Sequence, residues 1–192
     1  MKFQEVDIDK QLVESALNND RSAFKKLYDS YSGVLSTLCY RYIPDNAEAD
    51  DVLQESLVKI FTSLDKFQYR GKGSLRAWMS RIVVNNALKH LRDNKKWQNV
   101  ELTDRVPDVA DETEDDSDFA DVPQEVIMDF IRRLPEGYRS VFNLYVFEEK
   151  SHKEIAGILD IRESTSASQF HRAKALLAKW IDDYRTGKLE NK

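Results

Sequence analysis

The chain has 192 residues and a mass of 22.4 kDa, a size that suits one large domain or two small ones. Hydrophobic residues make up 41% and charged residues 33%, and the scarcity of glycine (6) and proline (4) favours helices over turn-rich β folds. One cysteine excludes a disulfide scaffold and three scattered histidines exclude a zinc cluster, so we expect neither metal nor cofactor. Since the sequence shows neither an apolar leader nor a membrane-length apolar run, it predicts a cytoplasmic protein without membrane insertion.

Apolar residues recur at helical spacing along most of the chain, and no segment alternates as a strand does. A first helix is predicted over residues 8–18, and a second is predicted to end before Pro44. Asp45 and Glu48 resemble a capping box that opens a third helix. The inward-facing stripe of that helix is predicted to contain Leu53, Leu57, Ile60, Phe61 and Leu64.

The third helix also carries a polar stripe on its outward side. We predict a docking face for another protein there, made of Asp50, Asp51, Gln54, Glu55 and Lys59. Carboxylates in a first turn also favour the positive end of a helix, so capping alone explains Asp50 and Asp51 equally well. Both interpretations remain open from the sequence.

A loop containing Gly71 and Gly73 precedes a fourth helix, which we predict from Ser74 as N-cap to about Lys96. Aromatic and basic residues surround that loop, namely Phe67, Tyr69, Arg70, Lys72 and Trp78. Rings beside cations stack unpaired bases at roughly 1–3 kcal/mol per base, although Phe67 and Trp78 taken singly suit a core. On the helical wheel, one stripe of the fourth helix combines cations with an amide and suits a phosphate backbone. Its members are Arg81, Asn85, Lys89, Arg92 and Lys96.

The formal net charge of −5 argues, as an average, against a nucleic-acid partner, but the charge is strongly segregated. Residues 66–96 carry nine basic residues and one acidic residue, whereas residues 104–121 carry nine acidic residues and one basic residue. The acidic stretch has few apolar residues and no period, which predicts a flexible linker; an acidic surface loop within one domain is the alternative. We therefore predict two domains, 1–97 and 123–192, joined by a linker at 98–122.

The second domain contains a helix-turn-helix pattern. Pro123 and Pro135 are typical of first helical turns, and Ser151 with Glu154 forms a capping box. A short helix follows, then a tight break at Asp160 in a left-handed conformation, then a longer helix. Thr165, Ser168, Arg172 and Lys179 share one side of the longer helix and suit a major groove. An ordinary α-hairpin with a solvated face is the alternative.

An enzymatic function is not predicted. The loop YRGKGS lacks the spacing of a phosphate-binding P-loop, and the carboxylates near Asp50 have no partnered histidine. No nucleophile–base arrangement is suggested, and Cys39 lies in an apolar helical run where an inert thiol is expected.

With these pieces in place, the chain resembles a bacterial RNA polymerase sigma factor of the extracytoplasmic-function type, in the sigma-70 family. The resemblance rests on an ordered set of motifs: DDVLQE at 50–55, GSLRAW at 73–78 leading into RIVVNNAL at 81–88, LPEGYR at 134–139, KEIAGIL at 153–159 and FHRAKALL at 170–177. It implies a non-enzymatic initiation factor that binds core polymerase, directs it to promoters and assists melting.

The family also implies roles for the surfaces. The acidic face of the third helix would dock on the clamp helices of the largest polymerase subunit, while the second domain rests on the β flap. The 67–78 region and the basic stripe would bind the start-proximal promoter element. The upstream element would be read as duplex by Ser164, Thr165, Ser168, Gln169, Arg172 and Lys174. An anti-sigma factor is a further partner of many members.

Three positions depart from the family pattern. Family recognition helices often carry a basic residue where this chain has Ala167 or Gln169. Glycine is common where Asp160 stands, and an apolar residue is usual at the position of Ser166. These departures put the upstream base preferences in doubt, but not the fold. A helix-turn-helix regulator that acts without polymerase is the second hypothesis, since such a regulator binds duplex alone as a dimer.

Overall fold

The computed structural model describes residues 7–94 and 122–188, and every regular element within those two ranges is helical. The first range contains α1 (Ile8–Leu17), α2 (Arg21–Tyr42), α3 (Asn46–Thr62) and α4 (Ser74–Asp93), with a 3-10 turn at Leu64–Lys66 before α4. The second range contains α5 (Gln124–Arg133), α6 (Glu136–Val146), α7 (His152–Leu159) and α8 (Glu163–Arg185). The predicted all-α fold, with four helices in each part, is confirmed.

The chain divides into two compact units, residues 1–90 and 91–192. The acidic residues at 104–121 and the predicted fourth-helix residue Lys96 lie outside the described residues. The exact limits predicted for the two domains and their linker therefore stay predictions.

Carboxylate side chains begin the first three helices. Asp7 accepts a hydrogen bond from the Asp9 amide at 3.0 Å, and Asp20 accepts one from the Ser22 amide at 2.8 Å. At the start of α3, the Asp45 carboxylate accepts from the Glu48 amide at 2.9 Å, which is the predicted cap. Each cap satisfies an amide that has no partner within its own helix and places negative charge at the positive helix end.

The buried face of α3 differs from the predicted stripe by one position. The most buried side chains are Ala49, Val52, Ser56 and Ile60, whereas Leu53, Leu57 and Phe61 are half-buried at the flanks. The Cys39 thiol donates to the Ala49 carbonyl at 3.4 Å, and the Asn86 amide donates to Ser56 Oγ at 3.0 Å. Small residues let α2 and α4 approach α3 closely, a requirement that hydrophobicity alone does not reveal.

The start of α4 also corrects a prediction. Ser74 is the first residue of the helix rather than its cap, and its hydroxyl closes the preceding turn. The hydroxyl donates to the Gly71 carbonyl at 2.7 Å and accepts from the Arg70 amide at 3.2 Å. Gly71 and Gly73 have φ angles of 112° and 83°, which side chains with a Cβ rarely adopt, so this turn requires glycine.

An apolar cluster joins α5, α6 and α8 in the second unit. Its buried members are Val122, Phe130, Ile131, Leu134, Tyr138, Ala173, Leu177 and Ile181. Pro123 and Pro135 lie at the N-cap positions of α5 and α6, one residue before the first-turn position predicted for them. A proline there loses nothing, because the amides at a helix start have no partner within the helix.

The helix-turn-helix is formed by α7, the turn at 160–162 and α8. The capping box at Ser151 and Glu154 is complete, since each residue bonds to the backbone of the other. Asp160 ends α7 in the left-handed region, with φ 54° and ψ 47°, as the sequence predicts. A residue other than glycine is strained in this conformation, although Asp tolerates it better than most.

Candidate nucleic-acid and docking surfaces

The exposed side of α4 carries the predicted basic stripe. Arg81, Asn85, Lys89 and Arg92 are all exposed. The opposite side is buried and contains Val83, Val84, Ala87, Leu88 and Leu91. The helix therefore presents three cations and an amide on one continuous face, which matches the linear array of phosphates along a nucleic-acid strand.

A pair of aromatic rings joins the segment before α4 to the first turns of that helix. The rings of Phe67 and Trp78 have centroids 5.5 Å apart at a tilt of 52°, and both side chains are half-buried. Arg70 and Lys72 are exposed in the segment between them, here called the 67–73 loop. Phe67 and Trp78 thus pack on each other, and each ring keeps part of its surface accessible because neither is fully buried. The cations of the loop lie between the two rings in sequence.

Sequence reasoning missed the contribution of α1 to this region. The Tyr69 hydroxyl donates to Asp7 Oδ2 at 2.7 Å, and this bond raises the pKa of Tyr69. Tyr31 on α2 lies close to Asp9, and burial together with the Asp9 carboxylate raises the pKa of Tyr31. Both contacts join positions far apart in the chain, and no local pattern marks such pairs.

The predicted docking residues are all exposed on α3. The Tyr40 hydroxyl donates to Asp50 Oδ1 at 2.5 Å, which ties that carboxylate to α2. Lys59 Nζ donates to Asn86 Oδ1 on α4 at 3.2 Å. The carboxylates of Asp51 and Glu55 form the central part of the face, and Val58, 64% exposed, adds an apolar side chain that the sequence did not single out.

The predicted upstream-element residues fall into two groups on α8. Ser164, Ser168 and Lys174 are exposed, as is Lys179. Thr165, Gln169 and Arg172 are half-buried, and the last two are turned toward α6. Arg172 Nη1 donates to the Tyr138 hydroxyl at 3.5 Å, and the Gln169 amide lies against Gly137 of α6.

The placement of Gln169 has a steric origin. A Cβ on Gly137 would lie 3.1 Å from Gln169 Nε2 and 3.3 Å from Oε1, so the missing side chain makes room for the amide. Gln169 Oε1 is buried without a hydrogen-bond partner among the described residues. The family resemblance assigns Gln169 to the DNA-reading residues of α8, whereas the structure places its amide in the space above Gly137 on α6.

A buried polar pair joins α7 to α8. Ser166 is fully buried, and its hydroxyl lies 3.0 Å from His152 Nδ1. The imidazole of His152 also stacks on Tyr145, with centroids 4.7 Å apart, and lies 5.7 Å from the ring of Phe170. The serine that replaces the usual apolar residue is thus matched by a hydrogen-bond partner on the first helix of the motif.

Other kinds of site can be assessed only within residues 7–94 and 122–188. No group of three or more His, Cys, Asp or Glu residues there could hold a metal ion. Cys39 is buried, and burial raises the pKa of its thiol to about 12, which keeps the reactive thiolate scarce at neutral pH. None of the helices in the described part is long and apolar enough to cross a bilayer.

The described residues combine a helix-turn-helix, an exposed basic face on α4 and a separate acidic face on α3, a combination typical of helical DNA-binding proteins. Residues 27–97 match the family model for sigma-70 region 2, and residues 124–177 match that for sigma-70 region 4. The RNA polymerase sigma-H factor of Pseudomonas aeruginosa is 30% identical, with 89% of this chain and 92% of that protein covered.

Two further relatives are similar over nearly the whole chain. The extracytoplasmic-function RNA polymerase sigma-E factor of Haemophilus influenzae is 28% identical, with 90% of this chain and 95% of that protein covered. The factor SigW of Bacillus subtilis is also 28% identical, with 91% and 97% covered. The chain belongs to the sigma-70 family of RNA polymerase sigma factors, in its extracytoplasmic-function group, and is a transcription initiation factor.

Proposed function

We propose that the chain docks on core polymerase through α3 and holds start-proximal promoter DNA with α4. The observation that carries this proposal is the separation of charge between α3 and α4. The exposed face of α3 displays Asp51 and Glu55, whereas the exposed face of α4 displays Arg81, Lys89 and Arg92. An acidic face repels a phosphate backbone and suits a basic protein partner, while the basic face attracts DNA. The proposed protein partner of α3 is the pair of clamp helices on the largest subunit.

The aromatic end of the α4 face supports a role in melting. Phe67 and Trp78 keep part of their rings accessible beside exposed Arg70 and Lys72. A base that leaves the duplex loses its stacking partners and regains them on an aromatic ring. The 67–73 loop is therefore proposed to receive an unpaired base of the start-proximal element.

The second unit is proposed to read the upstream element as duplex while its domain rests on the β flap. The exposed residues Ser164, Ser168 and Lys174 at the start of α8 support this role, because the first turns of such a helix enter the major groove. Gln169 and Arg172 are proposed to act on DNA only after leaving their contacts with α6. Fewer direct base contacts are then available than the sequence suggests.

The chain is proposed to perform no chemistry of its own and to act beside the polymerase in the cytoplasm. An anti-sigma factor is proposed as a further partner, which would cover the α3 and α4 faces. A helix-turn-helix regulator acting without polymerase is less well supported, because both sigma-70 regions are present in the expected order.

Run-off transcription tests the whole proposal. Core polymerase is supplied with a genomic template set, with and without the full-length protein, and the products are sequenced. We expect promoter-dependent transcripts that require the protein, and their start sites define the promoter. If no such transcript forms while the protein alone binds a symmetric duplex as a dimer, the regulator hypothesis is correct instead.

The docking face is tested by Asp51→Arg. This substitution reverses a charge at the centre of the α3 face without removing a buried group, so we expect core affinity to fall about tenfold with the fold intact. The matched control is Asp29→Arg, an exposed aspartate of α2 that pairs within its own helix with Lys25. Binding to labelled core polymerase measures both variants, and equal affinities would show that the α3 carboxylates only cap the helix.

A further inference from the structure

The first turn of α1 contacts the 67–73 loop across 62 sequence positions. The Tyr69 hydroxyl donates to Asp7 Oδ2 at 2.7 Å, and Lys10 Nζ lies 5.8 Å from the centroid of the Tyr69 ring. The ring is 38% exposed, so it is held at the surface rather than inserted into the core. Asp7 and Lys10 belong to neither of the surfaces assigned above, and their contact with the loop needs a separate explanation.

Asp7 uses its two carboxylate oxygens for two different tasks. Oδ1 accepts from the Asp9 amide at 3.0 Å and caps α1, while Oδ2 accepts from Tyr69. The cap fixes the orientation of the carboxylate, so the acceptor for Tyr69 is held in place. The hydrogen bond raises the pKa of Tyr69, because the charged carboxylate favours the protonated phenol that donates to it.

The two ends of the loop are fixed independently of α1. Phe67 packs on Trp78 at one end, and the Ser74 hydroxyl bonds to the Arg70 amide and the Gly71 carbonyl at the other. Glycine is the most flexible residue, and Gly71 and Gly73 both lie in this short segment. The bond between Tyr69 and Asp7 adds an attachment in the middle, where the backbone would otherwise have the most freedom.

We propose that Asp7 is a positioning residue for promoter melting, which holds Tyr69 and thereby presets the 67–73 loop in the shape that receives an unpaired base. A loop already in its bound shape loses less conformational entropy when the base arrives, so the base binds more tightly. Lys10 assists by placing its ammonium group near the Tyr69 ring. This inference rests on the proposed role of the loop as the receptor for the base.

Two substitutions remove the contact from opposite sides. Asp7→Ser keeps a good N-cap for α1, but its single short side-chain oxygen cannot serve both the cap and Tyr69. Tyr69→Phe keeps the ring and removes only the donor. The matched control is Tyr31→Phe, which removes a phenol that lies close to Asp9 in the first turn of α1 but belongs to α2 rather than to the loop.

The measurement uses holoenzyme assembled from the full-length protein and core polymerase. The probe is a promoter fragment identified by run-off transcription, prepared once as full duplex and once with the start-proximal element single-stranded. We expect Asp7→Ser and Tyr69→Phe each to weaken binding of the forked probe about three- to tenfold and to leave duplex binding unchanged. The double variant should lose no more than either single variant, since both remove the same bond. Tyr31→Phe should bind the forked probe as the wild type does.

Several results would overturn the inference. Unchanged binding of the forked probe by both variants would show that the contact does not position the loop. Tighter binding would show that Asp7 restrains the loop, and losses that multiply in the double variant would show that the two residues act separately. Trp78→Ala distinguishes this from failure of the proposed function. If Trp78→Ala also leaves forked binding unchanged, the loop is not the receptor; if it alone weakens binding, only the positioning role of Asp7 is wrong.

Discussion

The two helices proposed to face DNA, α4 and α8, present their polar residues in different ways. The basic stripe of α4 is exposed along its described length and lies opposite a continuous buried side. On α8, by contrast, the Gln169 amide lies against Gly137 and Arg172 bonds to Tyr138, so α6 takes up part of the polar side. A neighbour on α7 takes up another part, since His152 contacts Ser166. The free face of α8 is therefore narrower than that of α4.

This difference shows where helical periodicity works. A helix whose buried side is apolar and continuous, such as α4, has its free face assigned correctly by hydrophobicity. For a helix held partly through polar contacts, hydrophobicity assigns the free face wrongly, because serine, glutamine and arginine count as surface residues even where they are buried. Variants that separate the two kinds of helix can test this distinction.

The largest effect is expected from breaking the contact between α6 and the end of α5 at Arg139. This side chain is 5% exposed, and Nη1 donates to the carbonyls of Leu134 and Arg132 at 2.7 and 3.1 Å. Burial lowers the pKa of Arg139 to about 10, so it is still charged at neutral pH. Arg139→Ala should reduce the free energy of unfolding by about 3 kcal/mol, because buried carbonyls lose a charged donor.

Urea denaturation of the full chain measures this loss, and hydrogen exchange locates it in α5 and α6. The control is Arg133→Ala, a partly exposed arginine that pairs with Asp129 in its own helix and should cost less than about 0.5 kcal/mol. Comparable losses in the two variants would mean that burial of Arg139 does not hold α6 to the end of α5.

A smaller loss is expected from Ser166→Ala. Removing this hydroxyl takes away the partner of His152 Nδ1 inside the helix-turn-helix, at a cost of about 1–2 kcal/mol. Ser168→Ala is the control, since that exposed hydroxyl bonds only locally to the Thr165 carbonyl at 3.0 Å. Hydrogen exchange in α7 and α8 distinguishes them, and greater loosening by Ser168→Ala would contradict the role of the buried pair.

The salt dependence of promoter binding compares the two helices directly. Arg81→Ala and Lys89→Ala on α4 should each reduce the slope of log K against log salt by about one, because each exposed cation displaces about one counterion. Arg172→Ala on α8 should reduce it by clearly less, since its guanidinium is engaged by Tyr138. Fluorescence anisotropy of the holoenzyme on a labelled promoter gives the slopes. If Arg172→Ala changes the slope as much as Arg81→Ala, the contact with Tyr138 on α6 does not keep Arg172 from the phosphates.

The smallest effect is expected from protonation of Glu154 in the capping box of α7. The Ser151 amide and hydroxyl donate to Glu154 Oε2 at 2.9 and 2.8 Å and lower the pKa of Glu154. A lowered carboxyl pKa stabilises the folded state above the unfolded value of about 4.5, and this stabilisation disappears as the pH falls through the folded value. Glu154→Gln keeps the capping box but has no carboxyl group to protonate. The protection of α7 amides from hydrogen exchange should therefore decrease less between about pH 5 and pH 3 in this variant than in the wild type. An identical decline in the two proteins would argue against this cap as the cause.

The sequence predicts the helical class, most helix starts to within one residue and the exposed stripe of α4, because capping residues and apolar spacing act locally. It does not predict which residues of α3 are most buried, since Ala49 and Ser56 are selected by the closeness of α2 and α4. It does not reveal the contact of Gln169 with α6, because the space above Gly137 exists only once α6 and α8 meet. The contact of Asp7 with Tyr69 depends on tertiary structure alone.

Two polar links join α3 to α4 at separate points along their length. Lys59 and Ser56 both bond to Asn86, and Glu48 Oε2 lies 3.2 Å from His90 Nε2. Two attachments resist rotation of one helix about the other, where a single attachment would act as a pivot. The grip of the polymerase on α3 would then set the angle at which α4 meets the promoter. Substitutions that loosen Asn86 would produce a holoenzyme of normal affinity for core that points its DNA-binding helix imprecisely, and compensating changes would be found inside this helix pair rather than on either surface.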